Sequence, residues 1–164
     1  MLNLFGGRKL GLVGLDISAS AIKLLELSGG DGGYVVESYG VEPLPENTVV
    51  EQNIVDVEAV AEAIKRLQAS TQFKSKTAAV AVAGSAVITK TIEVPASLKE
   101  NQIEEQLLMD ADQYIPYPLD EVALDFQVLA ATARSEDMVD VLIAACRQEH
   151  IESRQAALEL SGLN

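Results

Sequence analysis

The first third of the chain alternates between apolar runs and short turns rich in serine or glycine. The apolar runs occupy residues 10–17, 21–27 and 34–41. Runs of this length that are bounded by Ser and Gly are typical of β-strands joined by tight turns. The pattern predicts a three-stranded antiparallel meander. Pro43 and Pro45 should end it, because proline cannot donate a hydrogen bond to a strand ladder.

The hydrophobic period changes from two to helical spacing at Asp56. Apolar positions then recur three and four residues apart, at Val57, Val60, Ala61, Ile64 and Leu67. This spacing predicts an amphipathic helix, with Asp56 as its N-cap. Residues 78–83 are small and apolar, which predicts a strand buried on both faces. Gly84 and Ser85 interrupt this apolar run, and we expect the boundary between two lobes at these residues.

The second half of the chain predicts the order strand-helix-strand-strand-helix. The corresponding segments are residues 87–94, 103–111, 122–128, 139–143 and 149–161. Ser97 and Glu100 have the spacing of a capping box, and Gly162 stands where a helix C-terminus favours glycine. We therefore expect an α+β fold in two parts, residues 1–85 and 86–164.

The composition limits the classes of function. Of 164 residues, 48% are hydrophobic, which excludes intrinsic disorder. The 25 acidic residues outnumber the 12 basic ones, and the net charge of −13 should repel nucleic acid and anionic lipid. Cys146 is the single cysteine, and the longest uncharged stretch, residues 77–89, is too short to cross a membrane. We expect a soluble cytoplasmic protein that binds no nucleic acid and does not insert into the membrane.

Residues suited to phosphate chemistry are concentrated in the first predicted hairpin. They are Gly14, Asp16, Ser18, Ala19, Ser20 and Lys23. Small residues let backbone N–H groups approach phosphate oxygens, and Lys23 can supply a positive charge. Asp16 could hold Mg²⁺ through water, because hard cations prefer oxygen ligands. An ordinary hairpin whose serines only complete the turn is equally compatible with these residues.

Several segments together resemble a known family. Residues 14–27 resemble the first phosphate-binding hairpin of the actin-like ATPase superfamily. More closely, they resemble the start of the PilM family of type IV pilus assembly proteins, which is similar to the cell-division protein FtsA. Residues 80–85, 91–95 and 110–117 support this resemblance. It implies a partial actin-like fold, with residues 1–85 as part of subdomain 1A and residues 86–164 as an inserted, SHS2-like subdomain 1C.

The resemblance also implies a function. PilM-family proteins are cytoplasmic adaptors of the pilus machine that drives twitching motility, and they are held at the inner membrane by a protein partner. They bind the N-terminal cytoplasmic segment of PilN in a groove between subdomains 1A and 1C, and pilus motor ATPases are further expected partners. ATP and Mg²⁺ are expected in the longer parent protein, because its second phosphate loop and adenosine motif lie beyond Asn164. Ser18 departs from the glycine that is common in the superfamily, which weakens the expectation of backbone contact with phosphate there.

Three functions remain open at the level of sequence: a scaffold, a phosphotransferase or ATPase fragment, and a filament-forming protein. The resemblance favours a scaffold over an enzyme, since no residue is evidently placed to activate water. An ATPase or sugar-kinase-like phosphotransferase fragment of the same superfamily is the main alternative, and a filament-forming protein is another. Self-association that covers an open sheet edge is also expected of a partial domain.

Overall fold

The computed structural model describes residues 11–30, 33–82, 84–131 and 137–164, and they form two compact units. The first unit contains the described residues through Ala81 together with Ser153–Asn164. The second unit is Val82–Glu152, described without its masked positions. This division differs from the predicted one, in which all residues after 85 formed one part. The physical reason is that the end of the last helix contributes apolar side chains to the core of the first unit.

The first unit begins with the predicted meander. Strands β1 (Val13–Ile17), β2 (Ala21–Gly30) and β3 (Gly33–Pro43) pair in antiparallel register. One face of these strands carries the buried side chains of Val13 and Ile22. Alternation buries every second side chain in β1 (Val13, Leu15) and in the first half of β2 (Ile22, Leu24), whereas no side chain of β3 is fully buried.

A short hairpin that the sequence did not predict follows the meander. Strands β4 (Val49–Val50) and β5 (Asn53–Ile54) are joined by a two-residue turn. The turn residues Glu51 and Gln52 have φ values of 47° and 71°. Two successive positive φ values fit a type I′ turn, which usually carries Asn and Gly. The usual sequence signal for this hairpin is therefore missing.

Helix α1 (Val57–Thr71) starts where the sequence predicted. The Asp56 carboxylate accepts a hydrogen bond from the Ala59 N–H at 2.9 Å, which confirms Asp56 as the N-cap. The helix ends at Gln72, whose backbone is left-handed with φ 53°. The buried side of α1 covers the core face of the first sheet, with Val60, Ala63, Ile64 and Leu67 in the core.

Strand β6 (Ala78–Val80) completes the sheet by pairing in parallel with β1, giving the order β3-β2-β1-β6. The prediction of a strand over residues 78–83 that is buried on both faces is corrected here. The strand ends at Val80, Ala79 is exposed, and Ala83 lies outside the described residues. Among the described strands β6 is an edge strand, and Ala78 and Val80 pack against the core.

Two buried charged side chains in this unit form hydrogen bonds with the backbone of loops. Glu26 on β2 is 6% exposed, and its carboxylate accepts the Ser75 N–H at 3.0 Å. Arg154, near the chain's end, is 4% exposed and donates to the Ala81 carbonyl at 3.2 Å and to the Gln52 carbonyl at 3.1 Å. Buried charges persist where hydrogen bonds compensate their loss of water, so both side chains fix the loops that they contact.

The second unit has the predicted order strand-helix-strand-strand-helix, with the last helix continuing into the first unit. Its elements are β7 (Val87–Pro95), α2 (Glu100–Asp110), β8 (Val122–Ala131), β9 (Met138–Arg147) and α3 (Gln148–Ser161). The three strands form an antiparallel sheet in the order β7-β9-β8. Side chains from α2, β7 and β9 form its core: Val94, Ile103, Leu107, Val141 and Ile143. The α+β class is therefore confirmed.

The two predicted helix-end signals in this half have different outcomes. The capping box predicted from Ser97 and Glu100 is wrong. The N-cap is Lys99, whose N–H donates to Gln102 Oε1 at 3.0 Å, two residues later than expected. The glycine prediction for α3 is confirmed, because Gly162 has φ 80°. The Gly162 N–H donates to the Glu159 carbonyl, and the Leu163 N–H donates to the Leu158 carbonyl. These two hydrogen bonds form a Schellman motif.

Candidate functional site

The first hairpin places an acid and a base directly opposite each other. In the register of β1 with β2, Asp16 pairs with Lys23. The Lys23 Nζ lies 2.9 Å from Asp16 Oδ2, and the two side chains are 59% and 64% exposed. An ion pair in this much water is worth only about 0.2–1 kcal/mol. Both groups can therefore exchange this contact for a ligand at little cost.

Ser18 completes the turn between β1 and β2. Its N–H and its hydroxyl both donate to the Ala21 carbonyl, at 3.0 Å and 2.8 Å. Ala19 and Ser20 form the exposed tip of the hairpin. The sequence leaves two roles open for Ser18, phosphate binding and completion of the turn, and these hydrogen bonds fit completion of the turn.

A surface depression of about 290 Å³ lies beside the hairpin, on the sheet face away from α1. Its lining is Gly14, Leu15, Asp16, Lys23, Leu24, Leu25 and Ala79. The six predicted site residues thus divide into two groups. Gly14, Asp16 and Lys23 border the depression, whereas the Ser18–Ser20 turn does not line it. One carboxylate and one ammonium group supply the charge of this surface.

The donor set at the hairpin is compatible with a weakly held cation. Within the part of the chain that the structure describes, no group of three or more His, Cys, Asp and Glu side chains could hold a metal ion. Asp16 would therefore contribute a single carboxylate. Mg²⁺ commonly binds proteins in this way, since it retains several waters and takes its other ligands from phosphate.

A second depression, of about 340 Å³, lies in the other unit and has a different charge. It is lined by Asp120, Glu121, Arg147, Gln148, Glu149 and Glu152. The Arg147 guanidinium is paired with Glu149 at 3.0 Å. Four carboxylates against one guanidinium make this surface unfavourable for phosphate. The hairpin is accordingly the better candidate for an anionic ligand.

Sequence reasoning missed an exposed apolar surface on the same sheet as the hairpin. Leu12 and Leu25 are 54% and 42% exposed, and Tyr39 is 75% exposed on the neighbouring edge strand. A signal was available in the alternation of these strands, because apolar residues occur at positions of both faces. Apolar residues on the open face of a sheet mark a surface suited to association.

Comparison with known proteins identifies the family. A family model described as type IV pilus assembly protein PilM matches residues 14–164. Among solved structures, a chain of a "PilM-PilN type IV pilus biogenesis complex" is similar with a TM-score of 0.82 and 32% sequence identity. The match covers 95% of this chain and 46% of that one, so the present chain spans less than half of its relative. None of the helices in the described ranges is long and apolar enough to cross a membrane. This chain belongs to the PilM family of type IV pilus assembly proteins.

Proposed function

We propose that this chain is a docking module of the type IV pilus machine, whose partner is the N-terminal cytoplasmic segment of PilN. The observation that carries the proposal is the 32% identity, over 95% of the chain, to a protein solved in a PilM-PilN complex. In this role the chain works at the cytoplasmic side of the inner membrane and is held there by PilN. Contacts with pilus motor ATPases and a contribution to twitching motility would follow from the same role.

Open strand edges and the charge of the chain support peptide docking. No described strand pairs with the outer edges of β3, β7 or β8, whereas the outer edge of β6 is bonded through the Ala78 N–H to the Asn164 carbonyl at 2.7 Å. An extended peptide can add to such an edge by main-chain hydrogen bonds, with side-chain pockets giving specificity. The net charge of −13 favours a peptide with basic residues and disfavours direct binding to anionic lipid. Attachment to the membrane through a protein partner is therefore favoured over direct binding to the lipid surface.

The docking proposal is tested with a fluorescently labelled peptide of the PilN N-terminal segment. We expect saturable binding with one peptide for each chain, measured by fluorescence anisotropy. A peptide of the same composition in scrambled order is the control, because it keeps the charge and removes the sequence. Equal binding of the two peptides would reduce the interaction to nonspecific attraction and would contradict the proposal.

The architecture of the longer protein is also a proposal. The first unit corresponds to part of an actin-like subdomain 1A, since a three-stranded antiparallel meander is extended by a parallel strand. The second unit corresponds to the inserted SHS2-like subdomain 1C, which is supported by its strand-helix-strand-strand-helix order. The structure of the parent protein in complex with PilN would test both assignments.

A second candidate function, nucleotide binding, is favoured by the position of Asp16 and Lys23 beside the 290 Å³ depression. Lys23 would bind a phosphate of ATP, and Asp16 would hold the waters of Mg²⁺. Gly14 leaves room for close approach, and the Ala19–Ser20 tip presents exposed backbone. Bound Mg²⁺ would neutralise phosphate charge. We propose a scaffold role without hydrolysis, since Asp16 is the single carboxylate of this depression and faces an ammonium group.

Nucleotide binding is tested by the variant Lys23→Met in the longer parent protein. Its matched control is Lys65→Met, because Lys65 also forms an exposed ion pair in the first unit, with Glu62 at 2.8 Å. We expect Lys23→Met to lower the affinity for a fluorescent ATP analogue by about tenfold or more, which is the usual effect of losing a hydrogen bond to a charged group. Equal effects of the two variants would contradict a phosphate contact. Phosphate release that is lost in Asp16→Ala would instead favour the phosphotransferase alternative.

A further inference from the structure

The tip of the β4–β5 hairpin has a backbone conformation that its own sequence does not favour. Glu51 and Gln52 have φ values of 47° and 71°, in the left-handed region that residues other than glycine rarely adopt. The Oε1 atom of Gln52 is also buried and accepts no hydrogen bond from any residue in the described ranges. Both features raise the free energy of the folded state. Such a conformation persists only where the surrounding structure enforces it.

The base of this hairpin is secured independently of its tip. Val49 and Ile54 are buried in the core of the first unit. The Thr48 carbonyl accepts hydrogen bonds from the N–H groups of Val55 and Asp56, at 2.9 Å and 3.2 Å. These contacts fix where the hairpin starts and ends, but none of them involves the two turn residues. The conformation of the tip therefore requires another contact.

Arg154 supplies that contact from α3, 102 residues further along the chain than Gln52. Its Nη2 atom donates to the Gln52 carbonyl at 3.1 Å, and its Nε atom donates to the Ala81 carbonyl at 3.2 Å. All three residues belong to the first unit. The Arg154 side chain is 4% exposed, so these bonds form away from competing water. Because a guanidinium presents its donors as a rigid planar fork, one side chain fixes the two carbonyls in relation to each other.

The second of these carbonyls lies just beyond the end of β6. Strand β6 has three residues, and its pairing with β1 ends at Val80, directly before Ala81. The middle residue of the strand, Ala79, lines the depression of the candidate site. Arg154 is therefore placed to hold the end of a short strand that forms one wall of this depression.

We propose that Arg154 is a latch, meaning one side chain that holds two separate backbone segments, here the β4–β5 turn and the end of β6. Its charged hydrogen bonds compensate the strain of the turn. When the guanidinium leaves the Gln52 carbonyl, the turn relaxes to negative φ values and the Ala81 carbonyl loses a fixed donor. The two segments thus change together as one two-state element. Arg154 is also a positioning residue for the wall at Ala79, and this consequence rests on the proposed nucleotide binding.

NMR spectroscopy of the full chain tests the latch through the variant Arg154→Lys. Lysine keeps the positive charge but lacks the planar fork that spans both carbonyls. We expect the backbone ¹³C shifts of Glu51 and Gln52 to lose the signature of positive φ, and the carbonyl shift of Ala81 to move at the same time. Unchanged shifts at the turn, or a change at the turn alone, would overturn the proposal.

Hydrogen exchange measures the size of the effect against a matched control. Exchange of the Asn53 amide, directly after the turn, should accelerate about tenfold or more in Arg154→Lys, because a hydrogen bond to a charged donor is lost. Glu26→Gln is the control, since Glu26 is also buried and bonds to a different loop through the Ser75 N–H. It should leave the turn and the Ala81 carbonyl unchanged. The same changes in both variants would indicate general destabilisation and would overturn the proposal.

Replacing the turn by Asn-Gly, through E51N and Q52G, tests whether strain is stored there. Asn and Gly adopt positive φ readily, so this pair should restore the turn in the Arg154→Lys background without restoring the Ala81 carbonyl shift. In the unaltered background it should slow exchange of the Asn53 amide by about threefold or more, a measurement that decides the question even if Arg154→Lys does not fold. No effect of the Asn-Gly pair would overturn the proposal.

Coupling to the candidate site is tested in the longer parent protein with the fluorescent ATP analogue. We expect Arg154→Lys to lower the affinity for the analogue by about fivefold or more, and Glu26→Gln by less than about twofold. Equal affinities of the two variants, in a parent that binds the analogue, would overturn the coupling to the site. Absence of binding by the unaltered parent would refute nucleotide binding itself, and the NMR measurements would still decide whether Arg154 is a latch.

Discussion

Gly40 on β3 packs against α1 with no room for a side chain. A Cβ atom on Gly40 would lie 2.7 Å from Thr71 Cγ2 and 2.9 Å from Leu67 Cδ2. Neither neighbour can move freely. Leu67 is 1% exposed in the core, and the Thr71 hydroxyl donates to the Leu67 carbonyl at 2.6 Å. The substitution Gly40→Ala should therefore force α1 away from β3.

The expected loss follows from two opposing terms. Overpacking of a close contact costs about 1–3 kcal/mol. Replacing glycine by alanine in an unstrained strand returns about 0.4–1 kcal/mol, because the unfolded chain loses entropy. We expect Gly40→Ala to lower the free energy of unfolding by about 1–2 kcal/mol. Gly14→Ala is the control, because its Cβ would meet only the Leu25 carbonyl oxygen at 3.6 Å, an ordinary contact.

Urea denaturation followed by far-ultraviolet circular dichroism measures this difference. Hydrogen exchange of the α1 amides assigns the change to the first unit, since two units need not unfold together. Thr71→Ser removes the nearest methyl group and keeps the hydroxyl, so it should restore at least about 0.5 kcal/mol to Gly40→Ala. Equal stability of the Gly40→Ala and Gly14→Ala variants, or the absence of rescue, would refute the packing argument.

Three further predictions concern the helices. Asp56→Ala should destabilise the first unit by about 0.5–2 kcal/mol, measured by urea denaturation, because α1 loses its N-cap; an unchanged midpoint would contradict that role. Gly162→Ala should cost about 1–2 kcal/mol in the same assay, since alanine disfavours φ 80°, and a neutral effect would mean that the α3 terminus rearranges freely. The hydrogen bond from Lys65 lowers the pKa of Glu62 below its ordinary 4.5. The stabilisation that the Glu62–Lys65 pair contributes is therefore present above pH 4.5 and is lost as the pH falls through the lowered pKa of Glu62. A carboxyl NMR titration should show that the pKa of Glu62 rises in the variant Lys65→Met.

Much of the fold was predictable because local signals agree with the tertiary structure. The meander follows from alternating apolar runs, and α1 from its helical period and the cap at Asp56. The order of the second unit follows from its change of period, and Gly162 ends α3 as its position predicts. In each case a side chain or backbone preference acts within a few residues, where sequence is most informative.

The features that the sequence did not predict depend on contacts between distant residues or on unusual turn residues. The β4–β5 hairpin has Glu51 and Gln52 at positions that usually carry Asn and Gly. The bulge at Glu37 becomes evident only from the register of β3 against β2. The return of Ser153–Asn164 to the first unit depends on packing against that core, which no local signal encodes.

The candidate site was predictable in part. The spacing of Asp16 and Lys23 across a short turn is sufficient to place them opposite each other, and the structure brings them within 2.9 Å. The spacing does not reveal that the Ser18 hydroxyl bonds within the turn, because a serine in a hairpin can serve either purpose. Nor does it show that the depression lies on the sheet face beside the hairpin tip, since that surface requires Ala79 from a strand more than 50 residues away.

The account rests most directly on docking of the PilN N-terminal segment, and isothermal titration calorimetry of that peptide against this chain is the decisive measurement. It should be done with and without Mg-ATP. We predict saturable binding at one peptide per chain in both conditions, which would show that these residues form the docking surface independently of nucleotide. Absence of binding in both conditions would contradict a docking role for this chain.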